Sequence, residues 1–99
     1  MEKIFRISQR DMFEAAKIAL RALQMQIQYD DIKEGVIEAN TSTSWLSWGE
    51  DIQIRIIKKA SGTLVRVKST SKAQLLSWGT NSKNEEKIIQ EITQIVKNK

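Results

Sequence analysis

Along this chain apolar residues alternate with polar ones in five short runs and recur at helical spacing in two longer ones. The first run, Lys3-Ile4-Phe5-Arg6-Ile7, predicts a strand. Met12, Phe13, Ala16, Ala19, Leu20 and Leu23 then share one side of a predicted helix over 9–23, while Arg10, Glu14, Lys17 and Arg21 fall off that side. Ser8-Gln9-Arg10-Asp11 opens this helix. The serine hydroxyl accepts from a free backbone N–H, and the aspartate suits the positive helix end. Met25, Ile27 and Tyr29 alternate with Gln26, Gln28 and Asp30, which predicts a half-buried strand with its apolar residues on one face. A turn at Lys33-Glu34-Gly35 leads to a third strand on Ile37, Ala39 and Thr41. Ile52, Ile54 and Ile56 define a fourth, and after Ala60-Ser61-Gly62 Val65, Val67 and Ser69 define a fifth. Ser82-Lys83-Asn84-Glu85 reads as a second capping box ahead of a helix that buries Ile88, Ile89, Ile92, Ile95 and Val96.

The order is β-α-β-β-β-β-α, expected as one domain over 1–99. A meander of antiparallel strands needs cover on one face, and two helices with one apolar stripe each supply it. The fold class is therefore α+β, a two-layer sandwich of an antiparallel sheet of four to five strands with two helices on one face. The third strand ends where the fourth begins, and the fifth ends at that same edge. The two long connections, about 44–50 and 72–82, thus belong at one end of the sheet, together with the end of the first helix near Leu23-Gln24.

Those connections carry a repeated tetrapeptide, Leu46-Ser47-Trp48-Gly49 and Leu76-Ser77-Trp78-Gly79, and with Trp45 they hold all three tryptophans. Amphipathic rings beside small residues suit a flat ligand, a peptide or a lipid interface. The simpler account is that the rings close the open end of the core. On the outer sheet face, Arg55 stands opposite Arg66 or Lys68, with Lys58, Lys59 and Lys72 near it, a cationic patch suited to phosphate or carboxylate. Neutralisation by Glu38 on the neighbouring strand is the competing account. No aromatic is expected on that face to stack a base, which weighs against nucleic acid. Val36, Ile57 and Leu64 are expected to point outward and to offer a route to a homodimer.

Other chemistries are weaker. The acidic pairs Asp30-Asp31 and Glu50-Asp51 are neighbours in sequence, but adjacent strand residues point to opposite faces. Turn and strand-end roles explain them more simply than acid–base or cation chemistry. Ser69 and Ser71 beside Lys68 and Lys72 would need a desolvated lysine and an oxyanion hole to act as nucleophiles. Hydroxyls bonding to backbone are the simpler account. The chain has no cysteine and no histidine, which rules out disulfides, Cys/His zinc sites and imidazole-based triads. A net charge of +4 without a long basic run favours acidic partners weakly. Neither a signal-peptide stretch nor a spanning segment is visible, so a cytoplasmic protein without cofactor or metal is expected.

From Glu50 to the last helix the chain resembles a mainly bacterial family, domain of unknown function 1499. Glu50-Asp51 matches its acidic pair, Arg55 its central arginine, and Lys68-Ser69-Thr70-Ser71-Lys72 its Arg-Ser-x-Ser-Arg strand end. Gly79 and Asn81 match its loop. Both arginines of the strand end are lysines here, which forfeits bidentate anion binding. The resemblance implies the α+β layout and directs attention to the loop end, but it supplies no reaction. The expected function is a binding or interaction module without catalytic activity, taking an anionic or amphipathic ligand. Its candidate site is Trp45, Trp48, Trp78, Arg55, Lys68, Ser69, Ser71, Lys72, Gly79 and Asn81. Contact with a membrane surface is the first alternative, in which exposed tryptophans and nearby lysines act together. A carboxylate-based enzyme using Glu50 or Asp51 is the second.

Overall fold

The computed structural model describes residues 1–41, 49–71 and 80–97, the side chains of 71 and 80–82 apart. The elements are β1 (Glu2–Phe5), α1 (Gln9–Ala22), β2 (Gln26–Asp31), β3 (Val36–Asn40), β4 (Glu50–Lys59), β5 (Gly62–Ser71) and α2 (Thr80–Lys97). The strands form one antiparallel sheet in the order β1-β5-β4-β3-β2. The β2–β5 meander is thus extended by β1, which joins at the β5 edge. This is the expected α+β sandwich with five strands.

Strand alternation decides the core. Ile37 and Ala39 of β3, Ile52, Ile54 and Ile56 of β4, and Val65 and Val67 of β5 are buried on one face. Met12, Phe13, Ala16, Ala19 and Leu20 of α1 and Ile88, Ile89 and Ile92 of α2 pack on them, with Ile95 and Val96 at the margin. Ile54 has no exposed surface. Burial of such a side chain stabilises by about 1.5–3 kcal/mol, and its truncation to alanine costs about 2–5 kcal/mol.

Local chemistry sets the helix ends. Ser8 caps α1 as expected: its Oγ accepts from the Asp11 N–H at 3.1 Å. The C-terminus closes with the Gln24 N–H donating to the Arg21 carbonyl (3.0 Å) and the Met25 N–H to the Leu20 carbonyl (2.9 Å). This motif needs a left-handed residue, and Gln24, at φ 62°, supplies it where glycine is usual. The second capping box is corrected. α2 begins at Thr80, so Ser82 lies inside the first helical turn and is not the cap.

Alternation also fails once. The β2–β3 register runs Ile27 opposite Ala39 and then Tyr29 opposite Glu38, leaving Gln28 as an extra residue. The bulge turns Tyr29 to the outer face, where it is 46% exposed, while Ile27 stays against the core. That face therefore does carry one aromatic, contrary to the reading of simple alternation.

The end of the sheet opposite the long connections is tightly tied. Gln9 Nε2 donates to the Ile56 carbonyl (2.9 Å) and Thr63 Oγ1 to the Ile7 carbonyl (2.7 Å). Gly35, at φ 67°, sits so close that a Cβ there would lie 2.4 Å from the Ile56 carbonyl oxygen.

Candidate functional site

The loop end is built on a buried carboxylate. Glu50 opens β4 on the core side and is 5% exposed. Its backbone N–H donates to Thr41 Oγ1 (2.8 Å), and the Thr41 N–H returns to the Glu50 carbonyl (2.9 Å), which prolongs the β3–β4 ladder beyond Asn40. Its Oε2 accepts from Ser69 Oγ at 3.0 Å and from the Asn84 side-chain amide. Ser69 belongs to β5 and Asn84 to α2, so this one carboxylate joins three elements. The adjoining turn of α2 repeats the link. Glu85 accepts from the Ser69 backbone N–H (2.9 Å) and stands 3.4 Å from the Met1 amino group.

Beside this network a small cavity of about 190 Å³ is lined by Leu23, Gln24, Met25, Thr41, Asn84 and Lys87. It brings the end of α1 to the loop end, as the topology predicted. A second depression of about 410 Å³ lies across the outer edge of β3, β4 and β5. Glu38, Gln53, Lys68, Asn40, Asp51 and Thr70 line it, with Gln28 at the bulge and with Ala39 and Ile52. Gln28 Nε2 donates to Asn40 Oδ1 at 3.2 Å. Among the described residues, Glu38 and Lys68 make no ion pair.

The register resolves the cationic face. Arg55 stands opposite Arg66, and Lys68 stands opposite Gln53. Neutralisation comes from β1, not from Glu38: Arg66 Nε meets Glu2 at 2.8 Å. The Arg66 hydrogen bond and charge hold the Glu2 carboxyl below its usual range. Arg55 makes no ion pair among the described residues. Val36 and Leu64 hold outer-face registers but are only 6% and 7% exposed. Val36 sits between Asp31 and Arg55, and Leu64 between Ile4 and Ile57. The expected outward apolar patch is thereby reduced to Ile57 and to Ile4, which is 50% exposed.

Of the candidate residues, Arg55 and Lys68 share the outer face, in neighbouring rows. Ser69 points the other way and is buried, so it does not join Lys68 in a nucleophilic pair. Its hydroxyl bonds the Glu50 carboxylate. Ser71 stands opposite Glu50 in register, and Asn81 lies in the first turn of α2. Trp45, Trp48, Lys72, Trp78 and Gly79 lie outside the described residues.

Sequence reasoning weighed Glu50 but left it out of the site, and it gave Thr41 to a strand and Asn84 and Glu85 to a helix cap without joining them to Glu50. The signal for Glu50 was present: a glutamate opening an Ile-x-Ile-x-Ile strand, in phase with its buried positions, must find donors. Within the described residues no helix is long and apolar enough to cross a membrane, and no three acidic residues are grouped to hold a metal ion. The arrangement can fix strand ends rigidly on the core side and offer uncommitted polar groups on the other. A comparison with curated proteins finds no match. The family model described as "Protein of unknown function (DUF1499)" matches residues 4–92, well beyond the stretch from Glu50 that carries the resemblance, and the chain belongs to that family.

Proposed function

We propose that this chain is a small binding module without catalytic activity, whose ligand surface is the loop end of the sheet. The observation that carries this reading is the contrast between the two ends. At the short-turn end the polar groups Gln9 and Thr63 are spent on backbone carbonyls. At the loop end Lys68, Gln53, Glu38 and Thr70 surround a depression of about 410 Å³ and make no hydrogen bond or ion pair through their side chains to any described residue. That volume falls within the range of small-ligand sites. Beneath it, the Glu50–Ser69–Asn84 network gives the strand ends the rigid support that a site requires. In this reading Glu50 is a strut closed in by two donors, and Lys68, with Arg55 one row away, receives an anionic group.

Intrinsic tryptophan fluorescence tests the proposal, since all three tryptophans belong to the two loop sequences. Titration with anionic vesicles and with a short RNA should shift the emission with the vesicles and not with the RNA. Lys68→Ala should weaken the response, and Trp48→Ala or Trp78→Ala should weaken it without unfolding the chain. Emission that no ligand moves, with both tryptophan variants only melting the fold, would overturn the reading. Vesicle binding that salt abolishes would move the function to the membrane surface.

A further inference from the structure

We propose that the outer depression takes a small zwitterion, its anionic end on Lys68 and its ammonium end on Glu38. This rests on the reading of the loop end as a ligand surface. Lys68, Gln53 and Glu38 form one row across β5, β4 and β3, because Gln53 pairs in register with both of the others. Neighbouring strands lie roughly 5 Å apart, so the two charged residues are separated by roughly 10 Å. A neutral amide stands between them. Side chains of one row lie on the same face, so one small ligand over Gln53 can reach both charges. Charge-assisted hydrogen bonds of roughly 2.8 Å at each end leave roughly 4 Å for the separation of charges inside the ligand. A phosphoethanolamine group has about that separation.

Charge selects the same class. Among the described residues Lys68 is the one cation lining the depression, and it faces the unpaired Glu38 across the row. A polyanion meets the Glu38 carboxylate there, and a simple cation leaves Lys68 unpaired. A ligand of both signs pairs each end, and like-charge contact penalises the alternatives. Arg66 does not compete, since Glu2 holds it. Asn40 Oδ1 accepts from Gln28, so its side-chain N–H groups are not used in that bond. Gln53 adds an amide between the charged ends, and Thr70 a hydroxyl in the next row.

The test is a nitrogen-15 NMR titration of the full chain with O-phosphoethanolamine, inorganic phosphate and ethanolamine. Phosphoethanolamine should move the amides of Glu38, Gln53 and Lys68 and bind about tenfold or more tighter than either half. Glu38→Gln and Lys68→Gln should each abolish that advantage with the remaining spectrum unchanged, both positions being exposed. Co-sedimentation with phosphatidylethanolamine vesicles, lost in the same variants, assigns the source to a lipid headgroup. Binding of the free probe without vesicle capture assigns it to a soluble metabolite. Phosphate binding as tightly as phosphoethanolamine, indifferent to Glu38→Gln, overturns the zwitterion and leaves the anion reading of Lys68 standing. If no probe and no vesicle moves these amides, both proposals fall.

Discussion

The Ser69 hydroxyl reaches across the β4–β5 ladder to the Glu50 carboxylate at 3.0 Å, in a place where both side chains are buried. A carboxylate removed from water must be repaid by donors, and here they come from Ser69 and from Asn84 of α2. Glu50→Ala takes the carboxylate acceptor away from both donors and opens a cavity. We expect a loss of about 2–4 kcal/mol, a large share of the stability of a domain this size, read from urea unfolding. A change below about 0.5 kcal/mol would mean that the network adds nothing to the fold.

Gly35 should not tolerate a side chain. Its φ of 67° disfavours any Cβ, and the one it would gain meets the Ile56 carbonyl oxygen at 2.4 Å. That carbonyl also accepts from Gln9, so it is not free to retreat. Gly35→Ala should cost about 2–4 kcal/mol, combining left-handed strain with a backbone clash. A thermal melt that matches the parent would show that the turn rearranges cheaply.

Gln24 calls for the opposite substitution. It occupies the left-handed position after α1 at φ 62°, where a Cβ costs about 1 kcal/mol. Gln24→Gly should stabilise by about that amount. Gln24 also lines the cavity beside Asn84, so a stabilised variant that loses ligand response would show that the strain serves the site.

Tyr29 is the chain's one tyrosine, so its ionisation can be followed by ultraviolet absorbance without overlap. Its phenol donates to Glu34 at 2.9 Å, and that bond with the adjacent carboxylates pushes its pKa from 10.0 up to about 12. The neutral phenol is the favoured form. Its contribution to stability is therefore intact below pH 10 and is lost as the pH rises toward 12. Glu34→Gln should bring the midpoint down. A midpoint near 10 in the parent would show that the hydrogen bond does not persist in solution.

The layers were readable in the sequence because the core obeys short-range periods: Ile52, Ile54 and Ile56 alternate, and Met12, Phe13, Ala16 and Leu20 recur on a helix. The departures come from information that those periods do not contain. Ile27 and Tyr29 are two apart whether or not a bulge intervenes, so Tyr29 was assigned to the wrong face. Ser82 fits a cap by spacing alone, yet α2 starts earlier, at Thr80. The site was legible in part. Arg55 and Lys68 follow from outer-face alternation, whereas Asn84 meets Glu50 through contact between elements 34 residues apart. Ser69 was noticed as a hydroxyl at a strand end, but its partner depends on register.

The placement of β1 also bears on how the chain finds its fold. The meander from β2 to β5 can zip up through neighbouring hairpins, but β1 must wait for β5, and Arg66 meets Glu2 across 64 residues. Closing so long a loop is entropically slow. With no proline among these 99 residues, no isomerisation step hides that event. Refolding should thus end with capture of the N-terminal strand, the step that finishes the sheet and seals one edge of the core.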